Sequence, residues 1–258
     1  MTILDEILAS TRAELAERRR RLPVEELAAC PAPARASLRD ALARPQLALI
    51  AEFKRRSPSA GEIRAGSSPS DVARAYERGG AAAMSVLTDA PYFGGSLDDL
   101  REAAGACSLP LLRKDFILDE YQLYEARAAG ASAVLLIVAA LDQTQLESLQ
   151  ESARALGLDA LVEVHDAPEL RRAAAAGAQL IGVNNRDLRD FSVDPQRTFA
   201  LLGEMPEGSL VVAESGISDA QMLARLEAAG VAGALVGERL MRAASPEQAL
   251  RELLANPT

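Results

Sequence analysis

A chain of 258 residues, 49% hydrophobic but only 3% aromatic and without tryptophan, must build its core from Ala, Leu, Val and Ile. Its net charge of −9 and pI near 4.9, with no long block of like charge, exclude a nucleic-acid-binding arm. No apolar run reaches a membrane span, and the first residues lack the basic region of a signal peptide.

Cys30 and Cys107 lie far apart, outside any CxxC or Cys/His cluster, which argues for a reducing compartment and against structural zinc. The expectation is a cytoplasmic protein. Its densest basic run, Arg18-Arg19-Arg20-Arg21, falls in a helical pattern beside Glu14 and Glu17 and reads as a solvated helix face.

Residues 3–45 read as helical. Ile3, Leu4, Ile7, Leu8 and Leu15 share a face, Pro23 starts a second segment, and Ser37-Leu38-Arg39-Asp40 has the form of a capped third, with a Pro/Ala loop around 31–35. From Leu47 onward apolar strand-like runs alternate with amphipathic helices. The candidate strands are 47–54, 82–88, 109–114, 132–138, 159–165, 179–184, 209–214 and 233–237. The expected organisation is one domain, with a helical extension over 1–46 and a (β/α)8 barrel over 47–258.

An internal repeat supports that architecture. Gly80, Gly130, Gly177 and Gly230 each end an Ala-rich helix ahead of a strand, at spacings of 50 (80 to 130), 47 (130 to 177) and 53 (177 to 230). A unit of about 50 residues holds two strand–helix pairs, so four units close a barrel. The odd-numbered strands end in charge, at Lys54, Lys114, Glu163 and Glu214. Alternate strands of such a barrel contribute inward layers, so these four converge at the C-terminal mouth, where the fold places its active sites. One strand-end charge alone would be a surface ion pair; four in register point to a site.

Within the first strand, alternation puts Ile50, Glu52 and Lys54 on one face, either as an ion pair or as a lysine held by Glu52 for an anionic substrate. A donor-rich loop, Arg55 to Gly61, follows. Strands seven and eight end in glycine loops, Glu214-Ser215-Gly216-Ile217-Ser218 and Val236-Gly237-Glu238-Arg239, a pairing that favours a phosphorylated ligand. Asn184 and Arg186 share a face after strand six, with Arg186 either clamping a carboxylate or pairing with a neighbouring acid. His165, the one histidine, reads as a structural hydrogen-bonder rather than a base, and no second ligand for a metal stands beside it.

Five ordered motifs, spread over the chain, make these residues recognisable: Ala51-Glu52-Phe53-Lys54-Arg55-Arg56-Ser57-Pro58-Ser59, Leu112-Arg113-Lys114-Asp115-Phe116-Ile117, Glu163-Val164-His165, Gly182-Val183-Asn184-Asn185-Arg186 and Ala213-Glu214-Ser215-Gly216-Ile217. Together they closely resemble the indole-3-glycerol phosphate synthase family of tryptophan biosynthesis. Two details depart from the family pattern: Ala60 stands where lysine is frequent, and Arg239 is bulkier than the small residue common near the phosphate.

The resemblance implies conversion of 1-(2-carboxyphenylamino)-1-deoxyribulose 5-phosphate to indole-3-glycerol phosphate, carbon dioxide and water, by a decarboxylating lyase with no metal or organic cofactor. It implies Lys114 as the ring-closing acid and Glu163 as the second acid/base group. Lys54, paired with Glu52, binds substrate or shares the proton work, and Asn184 positions Glu163 or a ribulose hydroxyl. Ser57 and Arg186 hold the anthranilate carboxylate, while Phe93, Phe116 and Leu135 wall the ring. Glu214 meets substrate hydroxyls, and Ser215, Gly216, Gly237 and the backbone of Glu238 hold phosphate.

A lysine acid is expected to have its pKa lowered by burial and by a second cation. The expected partner is a small phosphorylated substrate, with no nucleic acid and no membrane; the chain is expected to be a monomer, in contact with other enzymes of the tryptophan pathway. The competing readings are a sugar-phosphate isomerase on the same barrel, of the phosphoribosylanthranilate isomerase kind, and a non-catalytic phosphate-binding barrel.

Overall fold

The computed structural model describes residues 2–31, 35–187, 192–217 and 219–255; residues 32–34 of the expected Pro/Ala loop, and Ser218, fall outside them. Eight parallel strands close in chain order: β1 (Ala48–Phe53), β2 (Ala83–Leu87), β3 (Leu111–Lys114), β4 (Ala133–Ile137), β5 (Asp159–Val164), β6 (Leu180–Asn184), β7 (Leu210–Glu214) and β8 (Gly233–Val236), which pairs back onto β1. This is the expected (β/α)8 barrel.

The strand bounds fall within about two residues of those read from the sequence, and the differences have local causes. Pro110 has no N–H to give a ladder, so β3 begins at Leu111. β1 stops at Phe53, one residue short, because the chain then folds into a two-stranded ladder of Arg56–Ser57 against Gly61–Glu62. Gly80, Gly130, Gly177 and Gly230 all have φ between +76° and +92°, so each supplies the left-handed residue that turns a helix end toward a strand.

Helices α1 (Ile3–Arg21), α2 (Val24–Ala29) and α3 (Leu38–Leu42) precede the barrel. Thr2 and Asp5 form a capping box at the start of α1, Pro23 occupies the N-cap of α2, and the Ser37 hydroxyl accepts from Asp40 N–H to start α3. The barrel helices are α4 (Pro69–Gly79), α5 (Leu97–Ala106), α6 (Glu120–Ala128), α7 (Gln143–Ala155), α8 (Ala167–Ala175), α9 (Gln196–Leu201) and α10 (Ala220–Ala228), with α11 (Glu238–Arg242) and α12 (Pro246–Leu254) after β8.

The extension touches both ends of the barrel. At the N-terminal end, Leu38 and Leu42 are fully buried, and the Ser37 hydroxyl and Arg39 N–H donate to Asp159 at the start of β5 (2.8 and 3.1 Å). α1 spans about 28 Å at 1.5 Å per residue. Its Ile7 and Leu8 join the buried apolar cluster that contains Phe116 and Leu135.

Farther along α1, Arg18 lies 3.4 Å from Glu125 of α6, and Arg19 sits over the Tyr121 ring and pairs with Asp119. The arginine run is therefore only half solvated. Arg20 and Arg21 pair with Glu17 on the open face, while Arg18 and Arg19 dock on α6 because α6 presents acids and an aromatic ring there.

Beneath the mouth, Arg113 is fully buried and fully engaged. It donates to Asp115 (2.8 Å), Thr88 (3.1 Å), the Gln122 carbonyl (2.6 Å) and Glu125 (3.2 Å). That network ties the β3 end to α6 and holds the segment carrying Lys114 and Phe116.

Candidate active site

At the C-terminal mouth lies a cavity of about 450 Å³, inside the roughly 300–1,000 Å³ usual for small-molecule sites. Each candidate named from the sequence lines it. Glu52 and Lys54 leave β1, Lys114 and Phe116 leave β3, Leu135 stands on β4, Glu163 on β5, Asn184 and Arg186 leave β6, and Glu214, Ser215 and Gly216 leave β7. Ser57, Phe93, Gly237 and Glu238 complete the rim. The cavity also takes in Leu87, Ile137, Pro58, Ser59, Arg239 and Arg242, which sequence reasoning did not assign. Leu87 and Ile137 end β2 and β4 and carry an apolar signal no different from any strand residue.

The polar floor joins both expected lysines to all three expected acids. Lys54 Nζ lies 2.7 Å from Glu52, and Lys114 Nζ lies 3.1 Å from Glu163 and 3.4 Å from Glu214. Glu52, Glu163 and Glu214 are 5%, 1% and 1% exposed, so two cations face three buried acids. One acid keeps its proton. Burial pushes the Glu214 carboxyl up to about 8; Lys114 opposes that, and the like charges of Glu163 and Glu52 add to it. Burial works against ionised Glu163 too, but Lys114, His165 and the Asn184 amide hold its pKa below the usual carboxylate value.

Lys114 runs opposite to expectation. Burial pulls its pKa down, yet Glu163, Glu214 and Glu52 outweigh burial and raise it, so the ammonium is charged at neutral pH. Lys54, the second cation counted on to lower it, is neutralised by Glu52.

Two glycines make room for these acids. A Cβ on Gly182 would stand 2.2 Å from Glu214 Oε1, and one on Gly237 would stand 2.4 Å from Glu52 Oε1. Gly237 was read from sequence as a phosphate loop; it is also the space into which Glu52 fits. Gly182 carries no such signal, since nothing in one strand tells which neighbour will lean on it.

The walls are held from behind. The Phe93 and Phe116 ring centroids are 6.3 Å apart and tilted by 38°, and Asp89 accepts from Tyr92 N–H (2.8 Å) and Phe93 N–H (3.1 Å) to fix the loop. Asn184 Oδ1 accepts from Arg186 N–H (3.0 Å), and Ser57 Oγ accepts from Ala60 N–H (3.2 Å). Ser215 and Gly216 both have positive φ, +64° and +73°, a rare conformation for serine of the kind stored at ligand loops. Glu238 accepts from Arg242 one turn along α11 (2.9 Å), and both side chains stand at the cavity rim.

Not every donor of the first loop faces the cavity. Arg55 makes a two-pronged pair with Asp99 of α5 (2.6 and 2.8 Å), and Arg56 donates to the Ala90 and Pro91 carbonyls. Both arginines anchor the loop instead of lining the cavity. His165 also lies outside the lining, with Nδ1 3.0 Å from Glu169. Cys30 and Cys107 are free thiols, and no described helix is long and apolar enough to cross a membrane.

A family model described as indole-3-glycerol phosphate synthase matches residues 4–253. A protein of that name from Acidithiobacillus ferrooxidans is 51% identical over 257 residues, covering 97% of this chain and 98% of the relative. Another, indole-3-glycerol phosphate synthase 2 of Streptomyces coelicolor, is 52% identical over 241 residues, covering 92% and 93%.

Solved structures extend the likeness of fold alone. 3-Hexulose-6-phosphate synthase overlays with a TM-score of 0.62 at 17% identity, over 81% of this chain and 99% of that one. A mutant tryptophan synthase alpha-subunit from Pyrococcus furiosus gives 0.60 at 15% identity, over 80% and 97%. With the family match running along almost the whole length and half the residues shared with its members, the chain belongs to the indole-3-glycerol phosphate synthase family.

Proposed function

We propose that this chain acts as a carbon–carbon lyase on 1-(2-carboxyphenylamino)-1-deoxyribulose 5-phosphate, with Lys114 and Glu163 as its acid–base pair. The observation that carries this reading is the half-buried Lys114 ammonium, 3.1 Å from the buried Glu163, at the polar floor of a cavity walled by Phe93 and Phe116. In the ring-closing step the aromatic carbon bearing the carboxylate attacks the ketone carbon. The ketone oxygen takes a proton, and carbon dioxide leaves that ring carbon. In the second step the new hydroxyl departs with a proton as water, and a C–H proton is released to form the indole.

A raised lysine pKa suits the first step. The oxygen becoming an alkoxide is far more basic than an ammonium, so Lys114 donates as charge builds there. Ionised Glu163 is suited to take the later proton, and Asn184 steadies it. Lys54, set by Glu52, attracts the anionic substrate or serves as the acid that expels water. Glu214, neutral near pH 7, donates to or accepts from a substrate hydroxyl. Ser57 and Arg186 take the carboxylate, Leu135 joins the two phenylalanines against the ring, and Ser215, Gly216, Gly237 and the Glu238 backbone take phosphate. Arg239 stands at that rim too, beside an Arg242 already paired with Glu238.

The residues 1–46 are read as an extension of a single-domain enzyme, acting as a monomer in the cytoplasm and able to meet neighbouring enzymes of its pathway. The test is to incubate purified protein with the carboxyphenylamino-deoxyribulose phosphate and follow indole fluorescence and carbon dioxide together. Both signals are expected in equal amounts. Substrate consumed without carbon dioxide would mark an isomerase, and substrate bound unchanged a binding barrel.

A further inference from the structure

The reaction has a proton balance that the cavity alone does not meet. Starting from the ionised carboxylate, one proton goes to the ketone oxygen and one to the departing hydroxyl, while one returns from the C–H bond. Each turnover therefore consumes one net proton, forming one indole, one carbon dioxide and one water. Glu163 is 1% exposed at the floor of the cavity, and a substrate filling the mouth covers it from above.

Behind Glu163 runs a second line of polar groups. His165 Nε2 lies 3.4 Å from Glu163 Oε1, on the side of the carboxylate away from Lys114, which meets Oε2. His165 Nδ1 lies 3.0 Å from Glu169 Oε2 of α8, which also accepts from His165 N–H at 2.7 Å. Side-chain exposure rises outward along this line, from 1% at Glu163 to 12% at His165 and 18% at Glu169.

The Nε2 atom is itself buried and makes no hydrogen bond. With Nδ1–H directed to Glu169, a bare Nε2 would set its lone pair against a carboxylate oxygen. A proton between Nε2 and Oε1 removes that repulsion, and it is as close to Glu163 as a transferable proton can be. The geometry points to His165 and Glu169 as the proton inlet of this site: in each turnover one proton passes from solvent to Glu163, which gives it to the departing hydroxyl, then takes the C–H proton and returns that one to Lys114 on its other face.

His165 is thus a positioning and relay residue that acts through Glu163, and the inference rests on the role proposed for Glu163. The charged groups facing the imidazole are Glu163 of its own strand, Glu169 of α8 and Glu214 of β7, with Lys114 beyond Glu163. Burial lowers the imidazole pKa, but these carboxylates outweigh it and raise it above the ordinary histidine value. The inlet is charged below that value and loses its proton as pH rises through it.

His165 is the single histidine of the chain, so its titration can be followed without ambiguity by imidazole NMR in tag-free protein. The alkaline limb of kcat is expected to coincide with that midpoint, and Glu169→Gln is expected to move both downward together. His165→Ala is expected to lower kcat roughly 10-fold with KM little changed, less than the ~10²–10⁴-fold of a direct acid–base group. The solvent deuterium effect should grow, and added imidazole should restore turnover.

A merely structural histidine would lower the melting temperature and leave the pH profile and isotope effect unmoved. If His165→Ala does not fold, Glu169→Gln still decides, because a shifted NMR midpoint with an unshifted rate limb overturns the inlet. Unchanged kcat in folded His165→Ala overturns it too, with protons then entering by the mouth. A wild-type chain that forms no indole overturns the proposed function as well, which separates the two failures.

Discussion

Gly182 shows how much of this site is decided by a residue with no side chain. Its missing Cβ is the space Glu214 Oε1 occupies, and a methyl there would stand 2.2 Å from that oxygen. Gly182→Ala is therefore expected to fold, to push Glu214 off Lys114, and to cost turnover on the order of 10²-fold, as misplacements of about 1 Å do. Steady-state kinetics beside a melting curve checks this, and unchanged kcat in a folded variant would show that Glu214 has slack. Gly237 and Glu52 repeat the arrangement on the other side, at 2.4 Å.

Among the elements, α1 and α3 divide the extension between two jobs. α3 meets the N-terminal end, where Ser37 and Arg39 donate to Asp159 and Leu42 packs at Gly233, while α1 reaches Asp119 and Glu125 beside the mouth and adds Ile7 and Leu8 to the apolar cluster that runs from Leu38 and Leu42 to Phe116 and Leu135. Leu42→Ala is expected to cost about 2–5 kcal/mol of stability and leave kcat/KM alone. Leu8→Ala is expected to raise KM, because the wall it supports faces the substrate ring. Denaturant titration with kinetics on both variants separates them; equal effects on KM would refute the division.

The strands were legible because alternation and the four left-handed glycines act locally. The convergence of Lys54, Lys114, Glu163 and Glu214 followed from the strand count, and the place of Glu52 beside Lys54 from alternation. The direction of the Lys114 pKa did not, because it depends on three acids from three other strands and on Lys54 already being paired with Glu52. Arg55 and Arg56 show the same limit: the sequence gives only a donor-rich loop, and their partners on α5 and in the 90–91 turn emerge only in the fold. His165 reads from the sequence as a structural hydrogen-bonder, because its place between Glu163 and Glu169 emerges only once α8 is packed beside β5.

At the scale of the whole molecule, the site is a stored cost. With Glu214 raised to about 8, the folded chain holds a proton that the unfolded chain has released above the ordinary carboxylate range. This contribution to stability is complete below that range and lost as pH rises toward about 8. Glu214→Gln removes the titration, so the variant is expected to lose less melting temperature than the wild type between pH 5 and pH 9. Each kcal/mol recovered is worth roughly 2–4 °C in a chain of this size. Parallel melting curves across that range would contradict a buried neutral Glu214.

The central claim is that the half-buried Lys114 ammonium, within 3.4 Å of both Glu163 and Glu214, starts the chemistry. Its most direct test is single-turnover and steady-state indole formation by Lys114→Met, with circular dichroism to establish the fold. The account predicts a folded protein that has lost more than the ~10²–10⁴-fold of one acid–base group, because Lys114 also aligns the ketone. Near-normal turnover in folded Lys114→Met would contradict it.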